Sequence, residues 1–289
     1  MIAGGSSRLV FPLMAAALAG VLLLAPAGSR SAGDLAASVQ EPTAIVWAVG
    51  DGADGSSRAK RLARTIARDE PDRFLYLGDV YESGTADEFR RNFAGVYGSL
   101  AEITEPTPGN HEWARRREGY LPYWTSVRGR RQRPWYRFDL AGWEVFSLNS
   151  EAAHGPNSRQ LRWLRRRLEG AEGNCRIAFW HRPRLSAGVY GDDRSYEPFW
   201  RAMRGRARLA LSGHDHNMQR LRMRQGIVQL VAGSGGRGLY PLHPDGRLLF
   251  GRDDRVGALR LELEPGRARV EFRAAGGRRL HSFTLGCRG

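Results

Sequence analysis

Apolar, strand-like runs in this chain repeatedly end at side chains of the kinds that bind metal ions. The runs are TAIVWAVGD with Asp51, RFLYLGD with Asp79, CRIAFWHRP with His181, and ARLALSGHDH with His214 and His216. Asn110 lies in a further segment, PTPGNHEW (106–113), which has the composition of a loop. This repeated pattern limits the folds that the chain can adopt, because the polar residue at the end of each buried strand must contact solvent or a ligand.

Helical segments alternate with these strands. Segment 56–70 carries Ala59, Leu62, Ala63 and Ile66 at helical spacing, and segment 158–170 has an apolar side opposite the arginines 165–167. Thr85 and Glu88 predict a capping box at the start of another helix. Segment 135–150 is typical of a hairpin, and the segments 226–236, 257–266 and 268–277 alternate like β-strands. The pattern predicts a layered α/β fold without internal repeats.

Side chains at the carboxyl ends of strands in such a fold converge on one crevice. Two carboxylates, an amide oxygen and three imidazoles make a plausible ligand set for a pair of metal ions. His214 and His216 lie two residues apart, so on an extended segment their side chains point the same way. An HxH triplet by itself is equally consistent with solvated histidines in a polar loop.

The ordered motifs VGDGA, LGDVYESG, PGNHE, AFWH and SGHDH resemble the calcineurin-like metallophosphoesterase superfamily, and within it the branch of the purple acid phosphatases. The resemblance runs from about residue 45 to the C-terminus, within a predicted domain of residues 43–289. It implies a four-layer α/β/β/α sandwich with a dinuclear metal centre at one edge.

The resemblance also implies a role for each matching residue. Asp51 and His216 would hold the first metal, and Asp79 would bridge both ions. Asn110, His181 and His214 would complete the second site.

Three further residues follow from the GNHE motif. His111 matches the position that donates a proton or steadies the phosphate, and Glu112 is expected to orient its imidazole. Arg115 is a candidate for attracting anionic substrate, although a solvated loop is the alternative reading of the arginines there.

The chain departs from the family pattern at the first metal. Much of the superfamily has Asp-x-His where this chain reads Asp51-Gly52-Ala53, and relatives of the purple acid phosphatases supply a tyrosine three residues after the bridging aspartate. Here Tyr81 follows Asp79 by two residues, and Glu82 occupies the third place. Tyr81 either reaches the metal or packs over the site, in which case Glu82, Asp54 or water completes the ligand set. The expected ions are iron, zinc or manganese.

The N-terminus has the composition of a secretory signal peptide. Arg8 precedes an almost uncharged stretch that ends near Ala25-Pro26-Ala27. We expect residues 1–27 to be a cleaved leader, or alternatively a retained membrane anchor, followed by a flexible segment, residues 28–42. Either reading predicts a secreted or cell-surface protein, with membrane contact only if the leader is retained. Cys175 and Cys287, the only cysteines, would then form one disulfide.

The net charge of +15 comes almost wholly from arginine, since Lys60 is the only lysine. A GC-rich genome explains such a bias as readily as a polyanionic partner does. The arginine clusters at 114–118, 128–133 and 165–167 contain no interleaved aromatic pattern, so no specific nucleic-acid partner is predicted.

The sequence therefore predicts an exported phosphoesterase that acts on a small phosphorylated substrate. Two metals about 3.5–4 Å apart would generate a bridging hydroxide that attacks phosphorus in line. A phosphomonoesterase is the first expectation, and a phosphodiesterase or nucleotide-directed phosphoesterase is the alternative. A non-enzymatic module that binds polyanions through its arginines is the competing class.

Overall fold

Two β-sheets lie face to face in the computed structural model, and helices cover the outer face of each. The structure describes residues 43–170, 173 and 175–287. The predicted leader, residues 1–27, and the predicted flexible segment, residues 28–42, lie outside the described residues.

Thirteen strands run through the described residues. In chain order they are β1 Ala44–Val49, β2 Arg73–Tyr76, β3 Thr104–Pro106, β4 Tyr136–Leu140, β5 Trp143–Ser147, β6 Arg176–Phe179, β7 Leu209–Ser212, β8 Met218–Leu221, β9 Val228–Ala232, β10 Leu248–Arg252, β11 Gly257–Glu264, β12 Arg267–Ala274 and β13 Arg279–Gly286. The first sheet has the order β13-β12-β11-β1-β2-β3 and the second β10-β8-β9-β7-β6-β5-β4. Strands β1, β2 and β3 are parallel, as are β5, β6, β7 and β9.

The helices connect these strands. They are α1 Ser57–Ala67, α2 Ala86–Glu88, α3 Gly95–Tyr97, α4 Asn110–Trp113, α5 Tyr120–Arg128, α6 Arg159–Leu168 and α7 Glu197–Met203, with a π-helical stretch Phe89–Ala94 and 3₁₀ turns Gly98–Ile103 and Arg194–Tyr196. The predicted capping box is present: the Glu88 amide donates to Thr85 Oγ1 (3.2 Å), and the Thr85 amide donates to Glu88 Oε2 (2.8 Å). On α6, arginines 165–167 face solvent while Leu161 and Leu164 are buried.

The period of two along each strand creates the layers. In β1, Val46 and Ala48 face the second sheet, whereas Trp47 and Val49 pack under α1 and its neighbours. In β6, Ile177 belongs to the core between the sheets. The next residue along the strand, Ala178, packs in the cluster under α6 and α7 instead. Apolar residues on both faces bury the central strands of each sheet, and the four-layer α/β/β/α sandwich is confirmed.

Several elements were not predicted from the sequence: β3, α5, β8, β10 and β13. Segment 106–113 was expected to be a loop, but its second half is the helix α4. The Glu112 carboxylate accepts a hydrogen bond from the Gly109 amide (2.8 Å) and so satisfies a free donor at the start of this helix. A single helical turn leaves too short a periodic pattern to be recognised in sequence.

Cys175 and Cys287 are disulfide-bonded, with their Cα atoms 5.0 Å apart. The bond ties the start of β6 in the second sheet to the end of β13 in the first, so it closes across the sandwich. Among the residues that the structure describes, none of the helices is both long and apolar enough to span a bilayer.

Candidate metal centre

The carboxyl ends of the parallel strands bring together the side chains that the sequence singled out. Asp51 follows β1, Asp79 follows β2, His181 follows β6, and His214 and His216 follow β7. All five are buried, with at most 7% of their surface exposed. The two sheets meet beside these ends, where the Gly50 amide donates to the Ala232 carbonyl (2.9 Å).

Three of these residues adopt left-handed backbone conformations. Asp51, Asp79 and His214 have φ of 60°, 69° and 67°. Non-glycine residues rarely occupy this region, although aspartate and histidine enter it more readily than most. Sharp turns directly after the strands aim the side chains back into the crevice, and such conformations cluster at functional sites.

One group of ligands surrounds Asp79. His181 Nε2 lies 3.3 Å from Asp79 Oδ1 and 3.1 Å from Asn110 Oδ1. Ligand atoms of Asp79, His181 and His214 all lie within 4.8 Å of one another, which is a spacing that a single metal ion can span. The structure thus brings together the four residues that were predicted to hold the second metal.

The proton positions favour a cation in this group. His181 Nδ1 lies 2.8 Å from the Leu77 carbonyl oxygen, which can only accept, so the hydrogen of the neutral ring sits on Nδ1. The Nε2 lone pair then faces two further acceptors, Asp79 Oδ1 and Asn110 Oδ1. Three converging lone pairs without a donor between them repel one another unless a proton or a metal ion lies there. The nitrogen and the two oxygens are therefore suitable ligands for a divalent metal ion.

The other group of ligands, which was predicted to hold the first metal, contains Asp51, Tyr81 and His216. The Tyr81 hydroxyl lies 3.1 Å from Asp51 Oδ1 and 3.0 Å from His216 Nε2. His216 Nδ1 lies 2.6 Å from the Gly238 carbonyl, so its Nε2 is free to act as a ligand. Tyr81 reaches this group although it follows Asp79 by only two residues. Of the two alternative residues, Asp54 accepts a hydrogen bond from the Ser56 amide (3.0 Å) and Glu82 pairs with Arg237 (2.6 Å).

Charge in the crevice is unevenly distributed. Burial alone would lower the pKa of His181, but the Asp79 carboxylate outweighs it and raises that pKa to about 10. Burial alone would raise the pKa of Asp79, but the positive charge of His181 holds the pKa of Asp79 well below its usual range. By contrast, burial followed by the nearby charge of His181 lowers the pKa of His214 to about 2. The carboxylates thus attract one positive charge, and His214 stays neutral, as a metal ligand must be.

His111 lies at the edge of the crevice. Its Nδ1 lies 2.5 Å from the Glu82 carbonyl, and its Nε2 lies 3.7 Å from Asp79 Oδ2. Its side chain keeps 30% of its surface exposed, so a substrate can reach it.

The expectation that Glu112 orients His111 is wrong. The Glu112 carboxylate accepts hydrogen bonds from the backbone amides of Asp79 and Val80, both at 3.1 Å, and from that of Gly109. Burial and then the charge of Asp79 raise the pKa of Glu112 to about 8. Glu112 instead fixes the turn that carries Asp79 against the GNHE segment. Gly109 is needed at this contact, because a Cβ atom there would lie 2.0 Å from Asp79 Oδ1.

Arg115 is exposed and pairs with Glu118 on the surface (3.2 Å). The arginine beside the site is Arg182, whose Nη1 lies 3.1 Å from His214 Nε2 while its Nε donates to Glu151 (3.0 Å). Sequence reasoning missed it, although it directly follows the predicted ligand His181.

Arg237 approaches the other group of ligands. Its guanidinium lies 4.6 Å from the centre of the Tyr81 ring and pairs with Glu82 (2.6 Å). The glycine-rich segment GSGGRG, which carries Arg237, was the available sequence signal. Two tyrosines line the same rim: Tyr190 stacks on His214 and Tyr240 on His216, each with ring centres 4.1 Å apart.

Comparison with known proteins gives a consistent result. The family model described as calcineurin-like phosphoesterase matches residues 44–218, a span that contains every predicted ligand. The mouse (Mus musculus) tartrate-resistant acid phosphatase type 5 is 24% identical over 271 residues, which cover 79% of this chain and 83% of the mouse protein.

Solved structures share the fold. A purple acid phosphatase from yellow lupin (Lupinus luteus) seeds superposes with a TM-score of 0.71 at 18% identity, over 86% of this chain. The chain spans only 54% of the lupin protein. An anchor protein of the inner membrane complex of Plasmodium gives a TM-score of 0.70 at 14% identity, covering 86% of this chain and 90% of that one.

Proposed function

This chain belongs to the calcineurin-like phosphoesterase family, and on that premise we propose that it is an exported phosphomonoesterase with two metal ions. The family and the acid phosphatase relative identify a metal-dependent phosphoric ester hydrolase. The observation that carries the metal part of the proposal is the convergence of His181 Nε2, Asp79 Oδ1 and Asn110 Oδ1, which requires either a proton or a metal ion between them.

Each metal ion has its own set of residues in this proposal. Asp79, Asn110, His181 and His214 would hold one ion, and Asp51, Tyr81 and His216 would hold the other. The charge of Asp79 acts on Tyr81 and His216 as well. When bound, the ions would activate a water molecule for attack on phosphorus and neutralise charge on the phosphoryl oxygens. A phenolate ligand at Tyr81 favours a hard, highly charged ion in the site formed by Asp51, Tyr81 and His216.

Two arginines would complete the recognition of a phosphate group. Arg182 borders the group of His214, and Arg237 borders the group of Tyr81, so one guanidinium stands beside each set of ligands. A phosphomonoester carries up to two negative charges on its terminal oxygens, and guanidinium groups bind such oxygens in a bidentate geometry. Positive groups on both sides of the crevice therefore favour a monoester over a singly charged diester.

His111 is the residue that we propose to assist the leaving group. The hydrogen bond from Nδ1 to the Glu82 carbonyl fixes the ring orientation and directs Nε2 toward the crevice. When the ring is doubly protonated, its Nε2–H can donate to the departing oxygen. Its partial exposure at the rim leaves room for the alcohol portion of the substrate.

Export is the remaining part of the proposal. The leader of residues 1–27 has the composition of a signal peptide. The disulfide between Cys175 and Cys287 is of the kind that persists in oxidising compartments. Both observations support a protein that works outside the cytoplasm.

The decisive experiment is a substrate panel on the purified full chain, with elemental analysis of the same sample. We expect about two metal ions per chain and faster hydrolysis of phosphomonoesters than of phosphodiesters that share the same leaving group. Preferential hydrolysis of the diesters would contradict the monoester assignment. Absence of bound metal, together with inactivity after addition of manganese, zinc or iron, would contradict the metal mechanism.

A further inference from the structure

A second concave surface, rich in arginine and tryptophan, lies along the edge strand β4. One cavity of about 300 Å³ is lined by residues of segment 128–139 and by α6, including Arg133, Trp135 and Trp163. A neighbouring cavity of about 670 Å³ shares segment 130–133 with it and extends to Trp113 and Arg116. We call this continuous surface the arginine groove.

The groove carries an excess of positive charge that the protein does not neutralise. Its two acidic side chains are already paired, Glu105 with Arg128 (2.5 Å) and Asp139 with Arg137 (2.9 Å). Six other arginines in the groove have no carboxylate within 4.0 Å in the part of the chain that the structure describes. They are Arg116, Arg117, Arg130, Arg131, Arg133 and Arg167.

Aromatic rings lie between these charges. Trp113 packs under the guanidinium of Arg116 (4.6 Å), and Tyr136 packs under that of Arg128 (5.0 Å). Trp135 and Trp163 are half-buried in the wall of the smaller cavity, so part of each ring stays accessible. Each tryptophan borders one arginine cluster in the sequence: Trp113 the cluster 114–118, Trp135 the cluster 128–133 and Trp163 the cluster 165–167. The fold brings the three tryptophans to one surface.

We propose that the arginine groove binds a single strand of nucleic acid. Free guanidinium groups would follow the phosphate backbone, and accessible indole rings would stack on unpaired bases, which is how single-strand sites combine affinity with tolerance of sequence. A duplex hides the faces of its bases and would leave the tryptophans without a partner. The groove begins at α4, the helix that also carries Asn110 and His111, so a bound strand would lie beside the metal centre.

The test measures binding of a fluorescent oligothymidylate of about 20 nucleotides to the full chain by fluorescence anisotropy. A chelator keeps hydrolysis out of the readout, so the outcome does not depend on the proposed phosphomonoesterase activity. The test variant is Arg130→Gln/Arg131→Gln/Arg133→Gln. Its matched control is Arg204→Gln/Arg222→Gln/Arg224→Gln, which removes the same charge from exposed arginines outside the groove.

We expect the groove variant to bind at least about 10-fold more weakly, and the slope of log affinity against log salt to fall by about 2, since each lost phosphate contact removes about 0.7. The control should change affinity much less. Equal losses in both variants, or no binding by the wild type, would overturn the proposal. Circular dichroism and the melting temperature establish that each variant is folded.

The Trp135→Leu variant tests base stacking separately. It should weaken oligothymidylate binding by about 5-fold or more, because stacking contributes about 1–3 kcal/mol per base, and should leave competition by inorganic polyphosphate unchanged. Equal loss for both ligands, or no loss for either, would show that the groove is a site for polyanions without bases and would overturn the nucleic-acid assignment.

Discussion

The Tyr81 hydroxyl lies between Asp51 Oδ1 and His216 Nε2, at 3.1 and 3.0 Å. The chain lacks an imidazole after Asp51, and the tyrosine is one residue closer to Asp79 than the family pattern implies. The fold nevertheless places the phenol where a third ligand would be needed.

Replacing Tyr81 by Phe should lower the occupancy of one metal site and leave the other nearly full, because only the group of Asp51 and His216 loses an oxygen. We expect about 10-fold weaker binding of that ion, by analogy with the loss of other groups that support a metal site. Elemental analysis at limiting metal measures it. Tyr240→Phe is the control, since Tyr240 contributes its ring to His216 by stacking. Two full sites in Tyr81→Phe would show that Tyr81 only packs over the centre.

Replacing Asp79 by Asn should remove most of the activity, by about 100-fold or more, since this carboxylate faces both His181 and His111. Metal content and the rate of phosphomonoester hydrolysis are measured on the same sample. Asp54→Asn is the matched control, because Asp54 bonds to the Ser56 amide and not to the predicted ligands. If the two variants behave alike, Asp79 has no special part in metal binding.

Replacing His111 by Asn should slow esters with basic alkoxide leaving groups far more than nitrophenyl esters, whose leaving groups need little protonation. General acid catalysis contributes about 10²- to 10⁴-fold, so the contrast between the two ester classes is measurable. Metal content should stay near that of the wild type. An equal loss for both classes with metal retained would indicate that His111 stabilises the phosphoryl group instead.

Replacing both Cys175 and Cys287 by Ser should lower the free energy of unfolding by about 5 kcal/mol in the chain-entropy model, because the disulfide spans 112 residues of sequence. Urea denaturation measures the change, and treatment of the wild type with dithiothreitol should reproduce it. Non-reducing mass spectrometry of tryptic peptides gives an independent check: two freely alkylated thiols in secreted protein would contradict the pairing.

Glu271 predicts a stability that depends on pH. Burial alone would raise its pKa, but the hydrogen bond and charge of Arg273, together with the charge of Arg269, hold that pKa below its usual range. The carboxylate therefore stabilises the fold above the unfolded-state pKa, near 4.5, and this contribution is lost as the pH falls through the lower folded-state value.

The Glu271→Gln variant should thus be less stable than the wild type at neutral pH, by about 1–3 kcal/mol, with the difference vanishing in acid. Urea denaturation across the pH range measures it. Glu262→Gln is the control, because Glu262 is more exposed and its contact with Arg260 is 3.4 Å long. A difference that persists at low pH would mean that the variant acts through packing.

The local sequence pattern was enough to locate the strands that end at candidate metal ligands. The runs before Asp51, Asp79, His181 and His214 combine apolar side chains on both faces with an abrupt polar end, which few structures other than a buried parallel strand accommodate. Short elements such as α4 have no periodic sequence pattern, so they were not predicted. Hydrogen bonds made by Glu112 and contacts with neighbouring turns hold α4 in place.

The sequence by itself determined the layered fold, the strands that end at candidate ligands and the set of candidate metal-binding side chains, because strand and helix periods and residue chemistry are local properties. Only the tertiary structure decided that Tyr81 reaches His216, that Glu112 supports a turn, and that Arg182 and Arg237 border the centre in place of Arg115. It also brought Trp113, Trp135 and Trp163 to one groove. Contacts between residues far apart in sequence depend on how the two sheets pack, and no local period records that packing.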